Sequence, residues 1–109
     1  MSETITIILT FQKNKTKEFE RLFAEEVYPM WQDYHAQGKF LSASLTPASV
    51  TPEKNKDVQE YMLLVEVPSR AEHEEFDQSD NFLRFLDKVK PSQPVEPKVW
   101  LGDTLFKVG

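Results

Sequence analysis

The chain has 109 residues, 39% of them hydrophobic and 28% charged, with only 3 glycines and 7 prolines, which excludes a disordered or fibrous polypeptide and leaves room for one core, read as one domain over residues 1–109. A formal net charge of -5 offers no attraction to a phosphate backbone, so nucleic acid is not an expected partner. There is no cysteine, which removes disulfides, thiolate catalysis and sulfur-ligated metals, and the two histidines, His35 and His73, stand in no ligand spacing, so no metal site is expected.

The N-terminal run MSETITIILTF has no basic stretch ahead of its apolar residues, which are too few and too broken by threonines for a signal or a membrane segment. A cytoplasmic protein without membrane contact is the expectation. Thr4 to Phe11, rich in β-branched residues, predicts a first strand. Phe19, Leu22, Phe23, Val27, Met30 and Tyr34 then recur three and four apart, predicting a long amphipathic helix capped by Asn14 or Thr16 and ended by Gly38. Pro29 lies inside it and lacks the N–H for the carbonyl four residues back, so a kink or restart is expected near Glu25 to Tyr28.

Phe40 to Leu45 alternates apolar with small polar residues, a half-buried second strand, and Thr46 to Asp57 is a polar connection longer than a tight hairpin requires. Glu60 to Val67 predicts a third strand, stopped by Pro68. Ser69 and Glu72 have the spacing of a capping box, so a second helix starts there; its apolar spacing lapses across Asp77 to Asn81, where Ser79 can cap it anew. Prolines at 91, 94 and 97 lead extended chain into a last strand, Lys98 to Val108. The order is β-α-β-β-α-β. Right-handed crossovers turn it into an α+β, ferredoxin-like arrangement, a four-stranded antiparallel sheet with the helices on one face.

The helices cover one face only. Ile8, Met62 and Leu64 are then expected on the other, among threonines, and such a patch predicts association with a second copy through that face as a dimeric α/β barrel. RNA-recognition domains share the topology, but the central strands offer no aromatic pair on this face and the charge is acidic.

The run VYPMWQDYHAQGKFLSASL resembles the helix end and second strand of the antibiotic-biosynthesis monooxygenase-like domains of the dimeric α/β-barrel superfamily, and EVPSRAEHEEFDQSDNFLRFL resembles their third-strand exit and second helix. The resemblance implies the same fold, a homodimer, and a small aromatic ligand such as a quinol, oxidised without a cofactor. Val67 and Phe76 stand where that family commonly has a tryptophan and a histidine, and the first strand lacks the asparagine of the haem-degrading branch.

Three side-chain groups could carry chemistry. Trp31, Tyr34 and His35, three and four apart, can share one side of the first helix as an aromatic pocket with His35 as proton acceptor, or form a core rim with a solvated histidine. His73 and Asp77, four apart, can pair so that the carboxylate orients a catalytic imidazole, or belong to a solvated acidic helix face. Trp100 can stack on a planar ligand or fill the core or a subunit junction. Two functions follow: a monooxygenase-like enzyme with His35 or His73 as base, or a non-catalytic homodimeric module of the same fold that binds a ligand or a partner.

Overall fold

The computed structural model describes residues 2–55 and 57–109. Four strands, β1 (Glu3–Gln12), β2 (Ser42–Pro47), β3 (Val58–Val67) and β4 (Lys98–Asp103), form one antiparallel sheet in the order β2-β3-β1-β4. Helical segments α1 (Thr16–Leu22), α2 (Tyr28–Ala36), α3 (Arg70–Asp77) and α4 (Asp80–Val89) supply the crossovers. This is the ferredoxin-like topology. The sheet is open: within the chain, β2 and β4 are its edges.

Alternation along the central strands builds the core. Ile5, Leu9 and Phe11 of β1 and Tyr61, Leu63, Val65 and Val67 of β3 face Phe19, Phe23, Val27, Trp31, Phe76, Phe85 and Val89 of the helical layer. Aromatic rings dominate it, with Phe11 stacked on Phe19 at 3.9 Å and Trp31 set edge-on to Phe23 at 5.0 Å.

The helix containing Pro29 does not break. Residues Phe23–Val27 widen into a π-helical turn, in which the Tyr28 N–H reaches the Phe23 carbonyl, five residues back. One extra residue in the turn absorbs the hydrogen bond that proline cannot donate, and α2 resumes with Pro29 in its first turn. The expected N-terminal caps do not form: Asn14 lies in a 3-10 turn, and the Thr16 hydroxyl bonds back to the Lys13 carbonyl. Gly38, at φ 75°, does end the helix: its N–H bonds to the His35 carbonyl and that of Lys39 to the Tyr34 carbonyl.

At α3 the Ser69 hydroxyl bonds to the Glu72 carboxylate rather than to a backbone amide. That hydroxyl holds the Glu72 carboxyl below its ordinary range. Ser79 re-caps the chain, its hydroxyl donating to the Phe76 carbonyl at 2.7 Å and accepting from the Phe82 N–H.

All four strands differ from their sequence-based bounds: β1 is longer by one residue at each end, β3 starts two residues earlier, and β2 and β4 shift further. β2 begins at Ser42 because Phe40 turns into the core. β4 ends at Asp103 because its partner β1 begins opposite at Glu3; Thr104 makes one further bond, to the Ser2 carbonyl. Among the described residues, no helix is long and apolar enough to cross a membrane.

Candidate functional site

The helical layer does not close fully onto the sheet beside β4. An apolar cavity of about 280 Å³ lies there, walled by Ile7, Leu9 and Phe11 of β1, Leu63 of β3 and Val99 of β4 below, and by Phe19, Phe23, Phe82 and Phe85 above. Its volume is close to the roughly 300 Å³ at which small-molecule pockets begin, so it suits one small aromatic molecule and nothing much larger. A second, inner hollow of about 30 Å³, bounded by Val27, Trp31, Phe40, Val65, His73 and Phe76, adjoins it and shares Ile7, Leu63, Asp77 and Phe82 as wall.

Asp77 is the one titratable side chain among the described residues lining the larger cavity. It comes last in α3, just before the chain bends at Ser79, so its carboxylate lies at the seam between the two hollows. Its Oδ2 is 3.3 Å from Nδ1 of His73, one helical turn back, and the imidazole is buried. Burial pushes the Asp77 carboxyl above its ordinary 3.8; His73 pulls it back and the Glu74 charge adds to the rise. The pair therefore offers a proton acceptor at an apolar wall, with a buried imidazole behind it.

The other candidates are placed elsewhere. Trp31 is buried and lines the inner hollow together with His73. Tyr34 is half-buried outside the cavity, its ring edge-on to Phe76 at 5.3 Å and beneath the Lys39 ammonium; burial and the Glu75 carboxylate raise its hydroxyl. His35 is exposed, with Nδ1 3.0 Å from the Phe40 carbonyl, and joins the helix end to the approach to β2. Trp100, 58% exposed, lies on the face of the sheet away from the helices, where it pairs with Thr6. Of the residues singled out by sequence, only Trp31, His73 and Asp77 meet around one space.

Sequence reasoning missed the cavity's own walls. Phe82, Phe85 and Leu63 read as core positions, and nothing in their spacing marks a place where a core is left unfilled. Among the described residues, no group of three His, Asp or Glu side chains converges as a metal site would require.

No model of a known protein family matches the chain, and no curated protein matches it. Solved structures do. A candidate antibiotic biosynthesis monooxygenase from Nitrosomonas europaea superposes with a TM-score of 0.77 at 11% identity, covering 99% of this chain and 94% of its own. A second from Caulobacter crescentus gives 0.76 at 19%, with 96% and 91% covered, and a third from Bordetella bronchiseptica 0.70 at 20%, with 96% and 98% covered. At such identities the likeness speaks for architecture: the chain has the ferredoxin-like fold of the structures named as antibiotic biosynthesis monooxygenases.

Proposed function

We propose that the chain, as one domain over residues 1–109 paired with a second copy, binds a small aromatic molecule such as a quinol between its helices and sheet, and oxidises it in a monooxygenase-like reaction. The observation that carries this reading is the His73–Asp77 pair, whose carboxylate is, among the described residues, the one titratable group on a mostly apolar wall of the right size. The cavity desolvates the ring, Asp77 takes a proton and His73 holds and balances the carboxylate. The electron-rich substrate anion then reacts with dioxygen itself. A hydroquinone and one O₂ become the hydroxylated quinone and one water, so the electrons come from the substrate. The fold shared with structures named as monooxygenases supports this reading.

Two measurements test it. In a Trp100→Phe background Trp31 is the one remaining indole, so quenching by a quinol analogue reports occupancy next to the cavity. Oxygen uptake with a quinol panel should fall about 100-fold in Asp77→Asn and be reduced in His73→Ala, the usual scale for loss of a general base, while His35→Ala keeps the wild-type rate. Equal rates in all four proteins would remove the pair from the mechanism. Quenching without uptake by any of them would leave a non-catalytic ligand-binding module.

A further inference from the structure

The cavity is not closed on all sides. Leu86, Gln93 and Pro97, which belong to its wall, also line a surface groove of about 670 Å³ between α4 and the connection to β4. No described residue walls both this groove and the inner hollow behind Asp77, so the cavity lies between the two. Asp77 stands at its inner end, backed by His73, and the groove opens from its outer end. A ring held with its hydroxyl on Asp77 therefore turns its far edge toward the groove.

The groove suits apolar matter. Leu83, Leu86 and Val95 line it at 47%, 38% and 51% exposure, with Pro94 and Pro97 beside them. Leu83 and Leu86 stand three apart on α4 and so share one face of it. Val95 lies on the other wall, in a segment whose prolines at 91, 94 and 97 fix the backbone φ. A 3-10 turn over Lys90–Ser92, closed by the Gln93 N–H on the Lys90 carbonyl at 3.1 Å, fastens that segment to the end of α4. Both walls are thus set before anything binds, and an apolar occupant gains their burial without first ordering them.

Composition and continuity identify the occupant. The charged residues at the groove are Asp87, Lys90 and Glu96, two acids and one base, so an anionic substituent such as a phosphate or carboxylate would be repelled. The cavity itself admits one ring and little more. An uncharged chain carried on that ring, at the edge away from the hydroxyl, passes between Leu86 and Pro97 and comes to lie on Leu83 and Val95.

We infer that the ligand of the cavity is an aromatic alcohol bearing an apolar side chain, its ring held between helices and sheet and its chain laid in the groove between α4 and residues 93–97. The inference rests on the small-aromatic reading above and names the class of molecule that fills the site.

Titration calorimetry of the full-length chain with 4-alkylphenols, from methyl to hexyl, tests it, because their chain leaves the ring opposite the hydroxyl. Full burial of a methylene strengthens binding about fourfold, and a groove open on one side should give about twofold for each. The hexyl compound should therefore bind about 30-fold more tightly than the methyl one. In Leu83→Ser with Val95→Ser the two should differ by less than about threefold. Affinity for 4-methylphenol should stay at the wild-type value in that variant, since neither residue lines the cavity. Binding of 4-methylphenol with no gain along the series overturns the groove and leaves the ring site intact. A gain that survives the double substitution puts the chain elsewhere and also refutes the inference. Loss of 4-methylphenol affinity in the variant, with its circular dichroism unchanged, refutes the division of ring from chain. If no member of the series binds, the aromatic reading falls as well.

Discussion

The Tyr61 hydroxyl donates to the Glu20 carboxylate at 2.5 Å, tying the central strand β3 to the exposed side of α1 at the margin of the core. Its ring is 1% exposed and packs edge-on against Phe11 and Phe19. Tyr61→Phe keeps the ring and deletes a hydrogen bond to a charged group, a loss of about 1.5–3 kcal/mol. For a chain of this size each kcal/mol lowers the melting temperature by roughly 4–8 °C, so thermal unfolding reads the effect directly. Burial, then Glu20, push the phenol above its ordinary 10. The unfolded chain therefore releases this proton first, and the stability it contributes is full below pH 10 and falls as pH rises toward the folded value. Tyr61→Phe should flatten that alkaline decline. An unchanged decline would mean the hydroxyl is not held as the geometry indicates.

Gly38 supplies a test confined to the backbone. A Cβ added there meets nothing within 4 Å, so space is not the constraint; φ of 75° is. Gly38→Ala should cost about 1–2 kcal/mol through left-handed strain alone, and Gly38→Asn less, since asparagine tolerates that region. If alanine is neutral in urea denaturation, the helix end is not fixed by this residue.

Ser79 joins α3 to α4 through two bonds made by one hydroxyl. Ser79→Ala removes a helix cap worth about 1 kcal/mol. It also releases the Phe76 carbonyl, and the Phe76 and Phe82 rings, 4.6 Å apart, lie on either side of the bend. Beyond the loss of stability, Ser79→Ala should weaken binding of a quinol analogue, because Phe82 walls both hollows. Loss of stability with unchanged affinity would confine Ser79 to capping.

How far these features could be read in advance depends on which residues govern them. A β-branched run located β1 and apolar alternation located β2, and Pro29 located the disturbance in the first helix without saying how it would resolve, since a kink, a break and a π turn all remove the same hydrogen bond. The end of β4 was illegible because it is set by where β1 starts, a property of the partner strand. Trp31, Tyr34 and His35 show the limit for sites. At 100° per residue, Tyr34 falls 60° to one side of Trp31 and His35 40° to the other. With Trp31 aimed into the core, one flank turns to Phe76 and the other to solvent. Spacing made them neighbours; the helix's orientation on the sheet separated them. His73 and Asp77 fared differently because their relation lies within a single helical turn.

Asp77 carries the functional prediction with the most definite sign. Its folded value lies above 3.8, chiefly because burial disfavours the charged form, with Glu74 adding to the rise and His73 opposing it. The native state thus holds this proton after the unfolded chain has released it. The stability contributed by the group is full below pH 3.8 and is lost as pH rises through the folded value. Urea denaturation across that range should show wild type losing stability relative to Asp77→Asn, then levelling once the carboxylate is charged; the difference between the two proteins cancels the other carboxylates. Catalysis runs the opposite way, because only the ionised group accepts a proton. Oxygen uptake should rise through the same window as wild-type stability falls, and in His73→Ala both curves should move to higher pH, since the charge that draws the carboxyl down is gone. A stability difference that stays flat with pH would mean the carboxylate is solvated, and it would then be no base for a molecule bound in that cavity.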